Sequence, residues 1–259
     1  MSVVINKCMG RYGNQLCPYF VGRIISENLK FKLNGPTNND REFMLYGIEL
    51  NYDQVGYQSY DLPIQQLGNH SLSDELAHPD FNIFDIINDT TPRKIVLDAY
   101  FQRYKFFTPF REDIKKWFNP TYYETNNSDV AVHIRIGDLL CGNNRKHLLP
   151  FDYYEAALSR FDVGKLSICT DSPDHDFIQY LIKKYNAEIF LENEKNTISF
   201  LASHNNLILS QGTFSFWSGF FCDGRNIICP KPRTGWNSEV DDVGVDLLIQ
   251  GPYYNYIKL

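Results

Sequence analysis

The residue types best suited to chemistry follow the apolar run 130–132, where His133, Arg135, Gly137 and Asp138 lie close together. The apolar run predicts a β-strand, and the glycine after it predicts a loop at the strand's carboxyl end. Parallel α/β sheets bind their ligands at that edge. The planar guanidinium of Arg135 can donate to two phosphate oxygens at once, which a lysine cannot do. The segment therefore indicates an anion site, although an ion pair between Arg135 and Asp138 explains the same residues.

A second polar loop lies near the start of the chain, in the run Gly10-Arg11-Tyr12-Gly13-Asn14-Gln15. It joins a predicted strand to a predicted helix. Glycine lets the backbone approach an anion, and the N–H groups at a helix start attract negative charge. Asn14 adds an amide that can bind a phosphate or a sugar hydroxyl. A tight turn would also need glycine, so both explanations stay open.

Two further loops follow predicted strands in the second half of the chain. The first is the run 210–217, which contains Thr213, Phe214, Ser215 and Phe216. Its hydroxyls can bind phosphate oxygens or cap the following helix. The second loop contains Asp171, whose carboxylate can accept hydrogen bonds from a nucleotide or cap a helix. Because the carboxyl ends of parallel strands meet at one edge, we expect these loops and the 133–138 loop to converge on one crevice.

Alternating strands and helices are predicted to position these loops from residue 129 onward. We predict strands at 130–133, 166–169, 188–191, 207–209 and 227–229, and helices at 150–161, 174–185, 198–204 and 214–221. Each strand is nearly all apolar, which is typical of a parallel sheet covered on both faces. The second half is therefore predicted to be a Rossmann-like domain.

The first half is less regular. We predict strands at 3–6 and 94–101 and helices at 15–29 and 111–118, whereas residues 34–92 lack clear periodicity. A polar stretch at 125–128 is typical of a linker. We therefore expect two domains, 1–125 and 126–259.

Composition excludes several classes of function. The chain has 259 residues and a net charge of −6, which gives no electrostatic basis for binding nucleic acid. It has no run of about 20 apolar residues, so we expect no membrane span, and its start predicts a strand rather than a signal peptide. Its six cysteines and six histidines show no metal-ligand spacing. We expect a reduced, cytoplasmic protein without a metal.

Four segments resemble the α-1,2-fucosyltransferase family in type, order and approximate spacing: Gly10 to Gln15, Leu97 to Gln102, His133 to Asp138 and Ser210 to Trp217. The related protein O-fucosyltransferases share the first and third types of segment, whereas the second and fourth favour the α-1,2 group. Ile136 stands where many members have a second arginine. The chain is also compact for the family, so we expect it to lack acceptor-binding insertions.

The resemblance implies an α/β protein with two facing Rossmann-like domains of the GT-B type and a parallel sheet in each. The N-terminal domain would face the acceptor, and the C-terminal domain would bind the GDP-sugar. The implied reaction is an inverting, metal-independent transfer of fucose from GDP-fucose to a hydroxyl of a glycan acceptor. The donor is a substrate, and no cofactor is implied. The alternatives are a protein O-fucosyltransferase and a nucleotide- or glycan-binding module without turnover.

The same resemblance assigns roles to the polar residues. Arg135 is expected to stabilise the departing diphosphate, with Asn14 as a second catalytic residue. Asp138 is the nearest candidate base, although bonding its own loop explains it equally. The expected donor-binding residues, among which Asp171 would read the guanine, are Gly10, Arg11, Gly13, His133, Asp171, Thr213, Phe214, Ser215 and Phe216.

Overall fold

A computed structural model describes residues 1–6, 10–35, 45, 47–48, 62–69, 79–224 and 226–230, except the side chains of 143 and 146, together with the backbone of 254–257. The described residues form two compact units, which meet in sequence between Asn119 and Pro120. Each unit contains one parallel sheet with helices between the strands, so the predicted α/β class with a parallel sheet in each half is confirmed. Within the described ranges, no helix is both long and apolar enough to cross a membrane.

The first unit contains a four-stranded parallel sheet in the order β2-β1-β4-β3. Its elements are β1 (Ser2–Ile5), α1 (Tyr12–Leu29), β2 (Lys32–Asn34), β3 (Ile64–Leu67), α2 (Ile83–Asn88), β4 (Lys94–Leu97), α3 (Tyr104–Phe107), a 3-10 turn (Thr108–Phe110) and α4 (Arg111–Phe118). The chain passes from β1 to β2 on one side, and β4 then pairs with the other side of β1. The loops after β1 and β4 therefore flank the point where the strand order reverses.

Two predicted boundaries in this unit were wrong. The strand predicted over 94–101 ends at Leu97, and Phe101 has a φ of +54°, a left-handed conformation that a strand cannot contain. Helix α1 begins at Tyr12 rather than at residue 15, because Arg11 is extended and its carbonyl accepts from the Gln15 N–H at 3.1 Å. The predictions missed β2, β3, α2 and α3, which are too short to show a periodic pattern.

The second unit contains a six-stranded parallel sheet in the order β10-β9-β8-β5-β6-β7. Its elements are β5 (Val130–Ile134), 3-10 turns (Gly137–Leu140 and Gly142–His147), α5 (Phe151–Leu158), β6 (Leu166–Thr170), α6 (Asp176–Tyr185), β7 (Glu188–Ile189), α7 (Glu194–Ala202), β8 (Asn206–Ile208), α8 (Thr213–Phe221), β9 (Asn226–Pro230) and β10 (Tyr254–Ile257). Strand β5 is buried along its whole length, as its apolar sequence predicts.

The strand order of this sheet reverses between β5 and β8. From β5 the chain builds β6 and β7 on one side, and then returns to build β8, β9 and β10 on the other. The register pairs Val130 with Asn206 and Val132 with Ile208, so β5 and β8 run side by side. In doubly wound sheets the ligand crevice forms at the carboxyl ends of the strands where the order reverses. The loops after β5 and β8 flank that point.

Side-chain caps explain two helix starts that were predicted wrongly. Helix α7 begins at Glu194 rather than at residue 198, because the Asn193 side chain accepts from the Asn196 N–H at 2.9 Å. Helix α6 begins at Asp176 rather than at 174, because His175 Nδ1 accepts from the Phe177 N–H at 3.1 Å. Strand β7 is shorter than the predicted run 188–191.

Candidate functional site

The loops after β5, β6 and β8 bring six residues of the second unit together. We call this set the strand-end cluster, and it consists of His133, Arg135, Asp138, Asp171, Gly212 and Ser215. All of them except Gly212 were predicted as site residues from the sequence.

His133 links the end of β5 to the first turn of α8. Its Nδ1 lies 2.6 Å from Ser215 Oγ, and its ring packs against Phe214 with centroids 5.0 Å apart. His133 and Ser215 are both buried. A buried polar pair held by a hydrogen bond fixes the relative position of the two elements.

Arg135 and Asp138 form a two-pronged ion pair across the β5 loop. Nε of the arginine donates to Oδ1 at 3.1 Å, and Nη2 donates to Oδ2 at 2.7 Å. The arginine side chain is 14% exposed and the carboxylate 39%, so the guanidinium lies deeper than its partner. The ion pair that the sequence left open is therefore present, and it holds the arginine fork in one orientation.

Gly212 allows the β8 loop to contact the arginine. It is the residue that caps α8, with φ +99° and ψ 170°, a conformation essentially restricted to glycine. The sequence offers Thr213 and Ser215 as capping hydroxyls, but Gly212 occupies the capping position and both hydroxyl residues lie inside the first turn. Ser215 is instead bonded to His133.

Asp171 ties the end of β6 to the β5 loop. One oxygen of its carboxylate, Oδ1, accepts from the backbone N–H groups of Ile136 at 2.9 Å and Gly137 at 3.0 Å. Asp171 does not cap α6, since His175 does so. Its bonds hold the loop that carries Arg135, and its predicted contact with guanine stays a prediction.

Two tyrosines of α5 anchor the loop after β8. The Tyr154 hydroxyl donates to Ser210 Oγ at 3.0 Å, and the Tyr153 hydroxyl donates to the Leu209 carbonyl at 2.8 Å. Burial raises the pKa of both phenols, so both remain protonated donors. The sequence predicted Tyr154 on the apolar face of this helix and did not predict that its hydroxyl supports the site.

The Gly10–Gln15 loop builds a separate polar group in the first unit. Gly10 has a φ of +70°, and a Cβ there would overlap the Asn14 side chain. Gln15 Nε2 donates to the Gly10 carbonyl at 3.2 Å, and Gln102 Nε2 donates to Asn14 Oδ1 at 3.1 Å. The last bond joins the first turn of α1 to the loop after β4, on the two sides of the strand reversal of this sheet. Gln102 was not predicted as a site residue, although it lies in one of the four family-like segments.

The remaining residues that were predicted to bind the GDP-sugar lie next to these polar groups. Arg11 is exposed beside the glycine turn, Gly13 is buried in the first turn of α1, and Phe216 is buried in α8. Among the residues that the structure describes, no three His, Cys, Asp or Glu side chains gather as a metal site would require.

Comparison with known proteins gives little sequence similarity. No protein-family profile matches the chain, and no curated protein matches it. Among solved structures, a point mutant of Arabidopsis thaliana FUT1 in complex with GDP has a TM-score of 0.49 and 11% identity, covering 90% of this chain and 71% of that chain.

Proposed function

We propose that the chain is a GDP-fucose-dependent glycosyltransferase that transfers fucose, with inversion, to a hydroxyl of a glycan acceptor through an α-1,2 linkage. The observation that carries the proposal is the position of Arg135 and the start of α8 on the two loops that flank the strand reversal of the second sheet. The four family-like segments supply the identity of the donor and acceptor.

The strand-end cluster suits a diphosphate. Arg135 brings a guanidinium whose orientation Asp138 fixes, and α8 begins at Thr213 with no acidic residue in its first turn. The positive end of a helix dipole attracts an anion to such a helix start. The Thr213 hydroxyl at the helix start adds a neutral donor. His133, held by Ser215, would contact the ribose, the phosphate or the base edge.

The barrier of the proposed reaction lies in breaking the bond between the anomeric carbon of fucose and the β-phosphate oxygen. Negative charge grows on the diphosphate as that bond breaks. Donors fixed in advance at that position stabilise the transition state more than the ground state. Arg135 is assigned this role because its orientation is set by Asp138 before any ligand binds.

The acceptor hydroxyl would attack the anomeric carbon from the face opposite the leaving group. The new carbon–oxygen bond forms, GDP departs with the electron pair of the broken bond, and the hydroxyl proton passes to a carboxylate. Asp138 is the proposed base. Its protonation would remove the negative charge that Arg135 pairs with, and would leave the guanidinium to bind the diphosphate.

The first unit is assigned the acceptor side. Its polar group at the ends of β1 and β4 presents the Asn14 and Gln102 amides, which can bind sugar hydroxyls as donors and acceptors. Asn14 is proposed to hold the reacting groups in position rather than to carry charge.

The experiment that tests this function incubates the protein with GDP-fucose and a panel of glycan and peptide acceptors in EDTA, with products identified by mass and linkage analysis. We expect a fucosylated glycan with an α-1,2 bond. Modification of peptides alone would assign protein O-fucosylation instead. GDP binding without any product would indicate a binding module, and activity that EDTA abolishes and Mn²⁺ restores would overturn the metal-independent mechanism.

A further inference from the structure

Gln211 lies between Ser210 and Gly212 in the loop after β8, and the sequence did not predict it as a site residue. Its side chain is buried, with 9% of its surface exposed. Among the residues that the structure describes, none forms a hydrogen bond with its Nε2, although Arg135, Asp138 and Ser215 of the neighbouring cluster are bonded. A buried amide donor that forms no hydrogen bond destabilises the folded state, so its presence here calls for an explanation.

The backbone on both sides of Gln211 is fixed. Before it, the Ser210 hydroxyl accepts from Tyr154, and the Leu209 N–H donates to the Ile228 carbonyl at 2.9 Å. After it, the Gly212 carbonyl accepts from the Phe216 N–H at 3.0 Å and starts α8. The loop therefore holds the Gln211 side chain inside the protein at the start of this helix.

The surroundings of the amide favour a negatively charged partner. A Cβ added to Gly212, the residue that follows Gln211, would lie 2.7 Å from Nη1 of Arg135, and the first turn of α8 has no acidic side chain. The two carboxylates of the cluster are engaged elsewhere, Asp138 with Arg135 and Asp171 with the backbone of the β5 loop. An N–H donor here thus lies beside cationic groups, and its natural acceptor is an oxygen of a bound anion.

We propose that Gln211 is a ligand-binding residue whose Nε2 donates to a diphosphate oxygen at the start of α8. In the proposed function, on which the identity of the nucleotide rests, this oxygen belongs to GDP. Gln211 then adds a neutral donor to the charge of Arg135, and it binds the diphosphate both before and after the sugar departs.

The test compares wild type, Gln211→Met and Gln211→Glu by calorimetric titration with inorganic pyrophosphate and with GDP, and by thermal unfolding. Methionine fills a similar volume without a donor, so we expect affinity for both ligands to fall about tenfold or more, with an unchanged or raised Tm. Glutamate replaces the donor by a negative charge and should weaken binding further. Gln179→Met is the matched control, because Gln179 is exposed on α6 and donates to the Pro173 carbonyl.

The outcomes separate this inference from the proposed function. The role of Gln211 would be overturned if Gln211→Met bound both ligands as tightly as wild type, or if the wild type bound neither ligand. It would also be overturned if both variants had a lowered Tm that accounted for their weaker binding. Pyrophosphate binding that depends on Gln211, in a protein that does not bind GDP or transfer fucose, would support this role and refute the proposed function.

Discussion

Gly212 and Arg135 face each other across two loops that are far apart in sequence: a Cβ added to the glycine would lie 2.7 Å from Nη1 of the arginine. The arginine is held on its other side by Asp138. The guanidinium is thus confined between a carboxylate and a backbone that has no side chain. The position of Arg135, which is proposed to donate hydrogen bonds to the diphosphate, therefore depends on that glycine.

Gly212→Ala is expected to disturb the site as well as the fold. Backbone strain alone costs about 1–3 kcal/mol at such a conformation, and the new methyl group must displace the guanidinium. We expect a lower free energy of unfolding in urea and a loss of GDP affinity in calorimetry.

Gly142→Ala is the control for backbone strain. Gly142 also has a positive φ, +57°, but a Cβ there would meet no atom of the described part of the chain within 4 Å. This variant should lose about 1–2 kcal/mol of stability and keep its GDP affinity. Equal GDP affinity in both variants would show that Gly212 does not position Arg135.

Arg135→Ala is expected to lower kcat/KM for transfer from GDP-fucose by about 100- to 1,000-fold, which corresponds to about 3–4 kcal/mol of transition-state stabilisation. Arg135→Lys should restore little activity, because an ammonium cannot reproduce a two-pronged contact. Steady-state kinetics checks both variants. Near-normal activity of the lysine variant would reduce Arg135 to a structural partner of Asp138.

Asp138→Asn tests whether Asp138 acts as the catalytic base or only holds its loop in place. The amide oxygen can still accept from Arg135 but cannot take a proton. We expect GDP affinity to be retained while kcat falls by about 100-fold. Joint loss of GDP binding and thermal stability would indicate a structural role, and wild-type turnover would exclude Asp138 as the base.

His204 is expected to make stability depend on pH. Burial lowers its pKa, although the bond between Nδ1 and the Phe200 carbonyl opposes this, and its ring packs on Phe200. The folded state therefore prefers neutral histidine, whereas the unfolded chain takes up a proton below about pH 6.5. The stability from this group is present above that pH and is lost as the pH falls toward the folded-state pKa.

Urea unfolding at about pH 7.5 and about pH 5.5 tests this sign. His204→Phe keeps an aromatic ring against Phe200 but cannot titrate, so it should lose less stability than wild type between these conditions. An equal loss in both proteins would show that His204 does not contribute to the pH dependence.

Five strands of the second sheet, β5 to β9, could be predicted because each lies in an apolar run, whereas β10 alternates tyrosine with other residues and was not predicted. The prediction for β5 differs from the structure by one residue, and β6 likewise extends by one residue to Thr170. The order of the strands could not be predicted, because pairing between distant segments leaves no local pattern. The reversal between β5 and β8 therefore appears only in the structure.

In the candidate site, too, some features could be predicted from the sequence and others could not. The sequence indicated which residues form the site but not their partners. His133 and Ser215 are 82 positions apart, and Asp171 accepts a hydrogen bond from a backbone N–H 35 positions away. The role of Gly212 depends on its position beside Arg135, and the role of Gln211 depends on the burial of its side chain. Neither property has a signature in one sequence.

The most direct measurement of the central claim is a calorimetric titration of the wild-type protein with GDP and, separately, with UDP, both in EDTA. The account predicts that GDP binds at least about tenfold more tightly than UDP, because a carboxylate such as Asp171 can accept from guanine N–H groups that uracil lacks. It also predicts that Arg135→Ala weakens the binding of both nucleotides. Equal affinity of the wild type for GDP and UDP, or no binding of GDP, would contradict it.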